Sequence, residues 1–96
     1  MSKMYRFSVV DPKGGPLARR KIHDEVLGCK CYPLDVQVGW SALIKYLPKT
    51  YETEADSYYW HRLSTSPVEN VIIPNDESWM QIETENTIYI LEELKS

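Results

Sequence analysis

The residues of this chain best equipped for chemistry are two thiols and two imidazoles: Cys29 and Cys31 flank Lys30, while His23 and His61 lie on either side. Thiolate and imidazole are both zinc ligands, and a Cys-x-Cys on a strand projects its two sulfurs from one face. The spacing argues against a metal. Structural zinc sites pair their ligands two to four residues apart on a turn, and both histidines here are isolated. Buried cysteines acting as small apolar side chains are the commoner case, so no metal is expected. A disulfide between the two is equally disfavoured, because alternate strand residues are held too far apart and parallel.

A hydrolytic arrangement can be drawn from His61 with Asp56, Ser64, Thr65 and Ser66. Known triads, however, assemble their members from separate parts of a fold, not from one short stretch. There is no G-x-S-x-G elbow, no P-loop and no G-x-G-x-x-G, and Gly14-Gly15 is a lone pair in a proline-flanked turn. Four glycines leave little backbone to wrap around a phosphate. The expectation is a protein without catalytic activity and without a cofactor.

Binding chemistry is better represented. Arg19-Arg20-Lys21, with Lys30 and Lys45, could form a basic stripe. Beside Trp40, Tyr46 and Tyr58-Tyr59-Trp60 it could hold a nucleotide or a single strand by stacking and phosphate contact, with His61 and Arg62 following directly. The competing account makes Arg19-Arg20-Lys21 a solvated face or a partner for acidic residues of the same chain. Glu83, Glu85, Glu92 and Glu93, with Asp76 and Glu77 before them, gather on the last hairpin and its flanks. Such a surface suits a basic groove on another protein, and charged hairpin edges that resist aggregation explain it equally well. The candidate binding surface is therefore Arg19, Arg20, Lys21, Trp40, Tyr46, Tyr58, Tyr59, Trp60, His61, Arg62, Glu83 and Glu85.

The elements that must carry these residues are mostly strands. Tyr58 to Leu63, Val68 to Ile73, Trp79 to Glu83 and Thr87 to Leu91 read as four consecutive short strands with Pro74-Asn75-Asp76-Glu77 as a turn. Alternation puts Met80 and Ile82 on one face with Ile88 and Ile90, and Asn86 tolerates the left-handed backbone a short hairpin loop needs. Met4 to Val10 reads as a first strand with Tyr5, Phe7 and Val9 on one face, ended by Asp11 to Pro16. Leu17 to Asp24 fits a short helix or a basic edge strand, and Glu25 to Leu34 a strand interrupted at Gly28. Asp35 to Gly39 reads as a short extended piece. Trp40, Leu43, Ile44 and Leu47 fit a helix face, yet Ala42, Ile44 and Tyr46 also alternate; flanking Gly39 and Pro48 favour the strand. Pro48 to Asp56 is polar and aperiodic, as a mobile loop would be. About six short strands point to a mainly β domain, a small antiparallel barrel or strongly bent sheet with room for one short helix.

At 96 residues the chain is one domain, 1–96, with an apolar fraction of 43% that suits a folded protein. Seven tyrosines and three tryptophans against one phenylalanine favour half-buried positions. No apolar run approaches the roughly 20 residues that span a bilayer. Met1 to Val10 lacks the apolar core of a secretory signal, so the cytosol is the simplest compartment. The net charge of −3 hides a division: residues 1–49 balance at 9 − 4 = +5 and residues 50–96 at 2 − 10 = −8. Such blocks can pair internally, face a partner, or drive self-association into a homo-oligomer; internal pairing is the simplest. The acidic balance argues against general nucleic-acid binding.

His61 to Val68 followed by Thr84-Glu85-Asn86-Thr87-Ile88-Tyr89 resembles short uncharacterised phage and prophage proteins, which carry a Thr-Ser-x-Val element and then a Thr-x-Asn-Ser/Thr-x-Tyr hairpin. The resemblance covers the last third to half of the chain. It implies a small β-barrel from a mobile element, acting by binding and blocking a host protein, defence components included. A barrel binding a small ligand or nucleotide is the alternative.

Overall fold

The computed structural model describes residues 3–51 and 59–94. Tyr58 lies outside the described residues, as does most of the Pro48 to Asp56 segment; Lys49–Tyr51 forms a 3-10 turn. Six strands appear: β1 (Tyr5–Pro12), β2 (Lys30–Asp35), β3 (Ser41–Leu47), β4 (His61–Ile72), β5 (Trp79–Thr84) and β6 (Thr87–Glu93). Each pairs antiparallel with the next and β6 returns to β1, so the sheet is one closed barrel. Closure removes the exposed edges that strands this short would otherwise present. The interior is filled from every strand, with Phe7, Cys29, Cys31, Ala42, Ile44, Val68, Ile82 and Leu91 almost wholly buried.

Leu17 to Asp24 is neither wholly helix nor an edge strand. A 3-10 turn at Pro16–Ala18 leads to helix α1 (Lys21–Val26), which continues past Asp24 and takes Glu25 and Val26 from the expected second strand. His23 in its first turn reaches back, Nδ1 accepting the Arg20 N–H at 2.8 Å. Val26 drops into the core beneath it. The helix ends at Gly28, whose φ of +85° is one that residues with a Cβ rarely adopt. Its N–H donates to the Phe7 carbonyl at 2.8 Å, and the Phe7 N–H donates to Cys29 O at 3.1 Å. These two bonds extend a β1–β2 ladder whose own register holds only Tyr5 opposite Cys31 and Arg6 opposite Lys30.

Trp40 to Leu47 resolves in favour of the strand, with Ala42, Ile44 and Tyr46 pointing inward. Asp35 to Gly39 contributes only an isolated bridge from Val38 to Val68. The four expected C-terminal strands are three. Ser64 to Pro67 does not separate two strands; it lies within the twelve-residue β4, which gives one half to β3 and the other to β5. Register shifts near Pro67 and between Val68 and Asn70 bend it. A proline lacks the ladder N–H and is tolerated at such an irregularity.

Two face assignments also change. A register shift between Phe7 and Val9 turns Val9 outward and brings Val10 into the core. On the last hairpin Ile82 lies opposite Tyr89 and Met80 opposite Leu91, so Thr87, Tyr89 and Leu91 face inward. Ile88 and Ile90 lie opposite Glu83 and Gln81 on the outside. Apolar residues on both faces of β6 made alternation a poor guide, and the tight turn decided the register. That turn needs no left-handed residue at Asn86: Glu77, at φ +54°, is the non-glycine described with positive φ. Thr84 Oγ1 accepts the Thr87 N–H at 3.0 Å and donates to Thr87 O at 2.8 Å, closing the loop by side chain.

Urea unfolding of alanine variants checks the register. Ile82→Ala is expected to cost about 2–5 kcal/mol, as deletion of a fully buried branched chain does. Ile88→Ala and Ile90→Ala, half-buried on the outside, are expected to cost less than about 1.5 kcal/mol each. Equal losses at all three would overturn the assignment.

Candidate functional site

The residues expected to form one binding surface are dispersed. Arg19 is engaged, its Nε on Asp24 at 2.7 Å and its Nη1 on the Val10 carbonyl at 2.9 Å. Lys21 stands in solvent 3.7 Å from Glu25, and Arg20 is exposed at the start of α1. Tyr46 is core, its ring edge-on to His61 at 5.7 Å. Trp40 is 70% exposed on the loop before β3. Tyr59 is exposed and stacks on Tyr51 at 4.3 Å. Glu83 is held by Lys13 at 2.7 Å, and Glu85 is exposed at the hairpin tip. Of the expected stripe, Arg19 and Lys21 face acidic neighbours on α1, while Lys30 and Lys45 stand on β2 and β3.

Two other groupings emerge on the outside of the barrel. On β2, β3 and β4 a single cross-strand row runs Tyr32, Lys45, Arg62, each directly opposite the next. Trp60, just before β4, meets Tyr32 edge-to-face at 5.2 Å. On the other side, β4, β5, β6 and β1 carry the row Ile72, Gln81, Ile90, Val9. Ile72 and Val9 keep 43% and 37% of their surface in solvent, and Trp79, next to the row on β5, keeps 36%. Trp79, Gln81, Ile90 and Glu92 line a shallow groove there. Asp11 and Glu83, opposite Ile88, and Glu92, opposite Trp79, surround this apolar strip with carboxylates. Sequence reasoning passed over Trp79, Ile72, Ile90 and Val9. The available signal was Thr87-Ile88-Tyr89-Ile90-Leu91, apolar on both faces in a barrel that buries only one.

At one end of the barrel a cleft of about 540 Å³ lies between the Gly14 to His23 connection, the bend of β4 and the β5–β6 turn. Both halves of the phage-like pattern line it, Leu63 to Ser66 and Glu85 to Thr87. They interlock: Asn86 Nδ2 donates to Ser66 Oγ at 2.6 Å, and the Glu85 N–H donates to Pro67 O at 3.0 Å. Those side chains have a structural task in joining the bend to the turn.

The groups suited to chemistry are kept apart. Cys29 and Cys31 are fully buried thiols, and the Cys29 Sγ–H donates to the Glu25 carbonyl at 3.0 Å. Burial pushes the Cys31 thiol well up, with Cys29 adding to the effect, and a neutral thiol is a poor nucleophile and metal ligand. Among the described residues no group of three or more His, Cys, Asp or Glu gathers to hold a metal ion. His61 and Ser64, three apart on a strand, project to opposite faces. His23 is buried and its pKa lowered, by desolvation first and then by the charges of Arg19 and Arg20, against a smaller raising effect from Asp24. With Nδ1 accepting from Arg20, the neutral ring carries its proton on Nε2, 3.4 Å from Thr87 Oγ1.

The buried imidazole makes stability depend on pH. A histidine whose folded pKa lies below its ordinary 6.5 takes up its proton more readily when unfolded, so stability falls as pH drops below about 6.5 and levels off past the folded pKa. Urea midpoints between pH 8 and pH 5.5 are expected to be flat and then to fall. His23→Gln is expected to remove much of that fall, and an unchanged slope in the variant would reject the assignment.

The chain matches no protein-family model, no curated protein and no solved structure.

Proposed function

We propose that this protein works by binding another protein, with no catalytic step of its own, through the apolar outer strip on β4, β5, β6 and β1. The observation that carries this reading is the row Ile72, Gln81, Ile90, Val9 with Trp79 beside it: Ile72, Val9 and Trp79 are exposed and Ile90 half-buried on a small barrel whose interior is already filled. Apolar patches of this kind on small domains mark interaction surfaces. A half-exposed tryptophan supplies the sort of anchor that dominates interface energetics. Asp11 and Glu92 beside the strip favour a partner with an apolar centre and lysine or arginine at its margin. A patch on paired strands is preformed, which keeps the ordering cost of association low.

The resemblance of His61 to Val68 and Thr84 to Tyr89 to small phage proteins gives the partner its class: a host protein, defence components included, met in the host cytosol. Among the described residues no helix is long and apolar enough to cross a membrane.

Wild type and Trp79→Ser serve as baits in a lysate of the native host, and any captured protein is purified and titrated by calorimetry. A discrete partner whose affinity falls at least about 30-fold with Trp79→Ser supports the proposal, since an interface anchor contributes about 2 kcal/mol or more. A partner that binds both forms equally overturns it. Self-association of the purified chain that Trp79→Ser abolishes, read by light scattering, gives the strip to a second copy instead.

A further inference from the structure

The outward row on β2, β3 and β4 poses a separate problem. Lys45 and Arg62 are direct cross-strand neighbours, so their stems leave the sheet roughly 5 Å apart, and like charges placed so destabilise a sheet. Nothing described relieves the repulsion: neither Lys45 nor Arg62 has an ion pair among the described residues. Asp35, the acidic residue of β2, accepts instead from the Gln37 side chain at 3.0 Å. Lys30, two residues before Tyr32 on β2, projects from the same face and also has no ion pair among the described residues. Against these three cations stand two rings, Tyr32 directly opposite Lys45 and Trp60 in edge contact with Tyr32.

Cations that repel each other beside partly open aromatic rings are complementary to a chain of phosphates carrying flat bases. We propose that this face binds single-stranded nucleic acid, Lys30, Lys45 and Arg62 meeting successive phosphates while Trp60 and Tyr32 receive bases. Duplex keeps its bases stacked on each other and cannot offer them to the rings. The overall charge of −3 does not prevent this, because the acidic strip of β5 and β6 lies on other strands of the ring. Field strength at the face is local, and about three phosphate contacts make a weak, salt-sensitive site and not a general nucleic-acid binder. The proposal uses a different face from the protein-binding strip, so either can fail alone.

The test is fluorescence anisotropy of a labelled oligodeoxythymidine of about ten nucleotides, within the usual footprint of a small barrel. Three phosphate contacts predict a log–log salt slope near −2, or about 20-fold weaker binding at 200 mM than at 50 mM salt. Lys45→Ala with Arg62→Ala is expected to bring the slope to about −0.7, as loss of two contacts requires. Trp60→Ala is expected to weaken binding about 5- to 150-fold with the slope kept, and Trp79→Ser to change nothing. Circular dichroism checks that each variant is folded; a Trp60→Ala that unfolds is replaced by Tyr32→Ala, for which the same loss is expected. No binding by wild type at about 100 µM protein, the weak end of non-specific affinities, overturns the proposal. So does equal affinity for duplex, equal affinity for free thymidine monophosphate, or a slope that the double variant leaves unchanged.

Discussion

The pairing of the first strand with the last is the interaction on which the rest of this structure depends. β1 and β6 pair from Tyr5 opposite Glu93 to Pro12 opposite Thr87, with one irregularity at Ser8. The seam continues past both ends, with the Leu94 N–H on Met4 O and the Lys13 N–H on Asn86 O, each at 2.9 Å. Ion pairs sit at the same two places, Lys3 with Glu93 and Lys13 with Glu83. Exposed pairs of this kind add little individually, and their service here is orientation. By contrast β1 and β2 share a short ladder that needs Gly28 and Cys29 to prolong it. If the seam opened, two strands would become edges and the core would lose one wall.

Ring closure also explains what becomes of the charge division. In an up-and-down barrel, order along the chain is order around the circumference, so a basic first half and an acidic second half become opposite sides of one object. The halves meet twice. At the β1–β6 seam opposite charges face each other, and Lys13 also reaches Glu69 at 2.7 Å. At the β3–β4 junction Lys45 faces Arg62 and the charges are alike. Internal pairing, the simplest origin for such blocks, therefore accounts for one junction, while at the other neither Lys45 nor Arg62 has an ion pair among the described residues.

The architecture was legible because most of the β segments are short and the breaks between them are marked by Pro, Gly or Asn. What alternation could not supply was phase. A one-residue irregularity at Ser8 turns Val9 from core to surface, and irregularities at Pro67 and Glu69 let one long strand do the work of two. Neither leaves a mark in a hydrophobicity pattern. The same limit hid both candidate surfaces. Tyr32, Lys45 and Arg62 are far apart in sequence and become neighbours only through register, and alternation alone puts Ile88 and Ile90 on the face of Met80 and Ile82. The short helix was ambiguous for a different reason: Lys21 to Val26 spans fewer than two turns, its N-cap is Arg20 where Ser, Thr, Asp or Asn is usual, and His23 takes the place that Glu or Gln usually fills in a capping box.

The apolar strip and the closing seam coincide, for Val9 and Ile90 are register partners across β1 and β6. A partner seated over both side chains holds the two strands together from outside, as the core does from within. It binds the closed barrel and has no comparable surface on an opened one. Binding and closure are therefore linked, and a partner at a hundred times its Kd would stabilise the fold by about 2.7 kcal/mol. For a domain of this size, whose whole stability is on the order of 5–15 kcal/mol, that is a substantial share. An exposed Val9 beside a half-buried Ile90 on the seam, with Trp79 on the next strand, is a hazard for an isolated protein, since a frayed edge with an apolar flank invites aggregation. The proposed partner, seated on that flank, would remove the hazard by covering it.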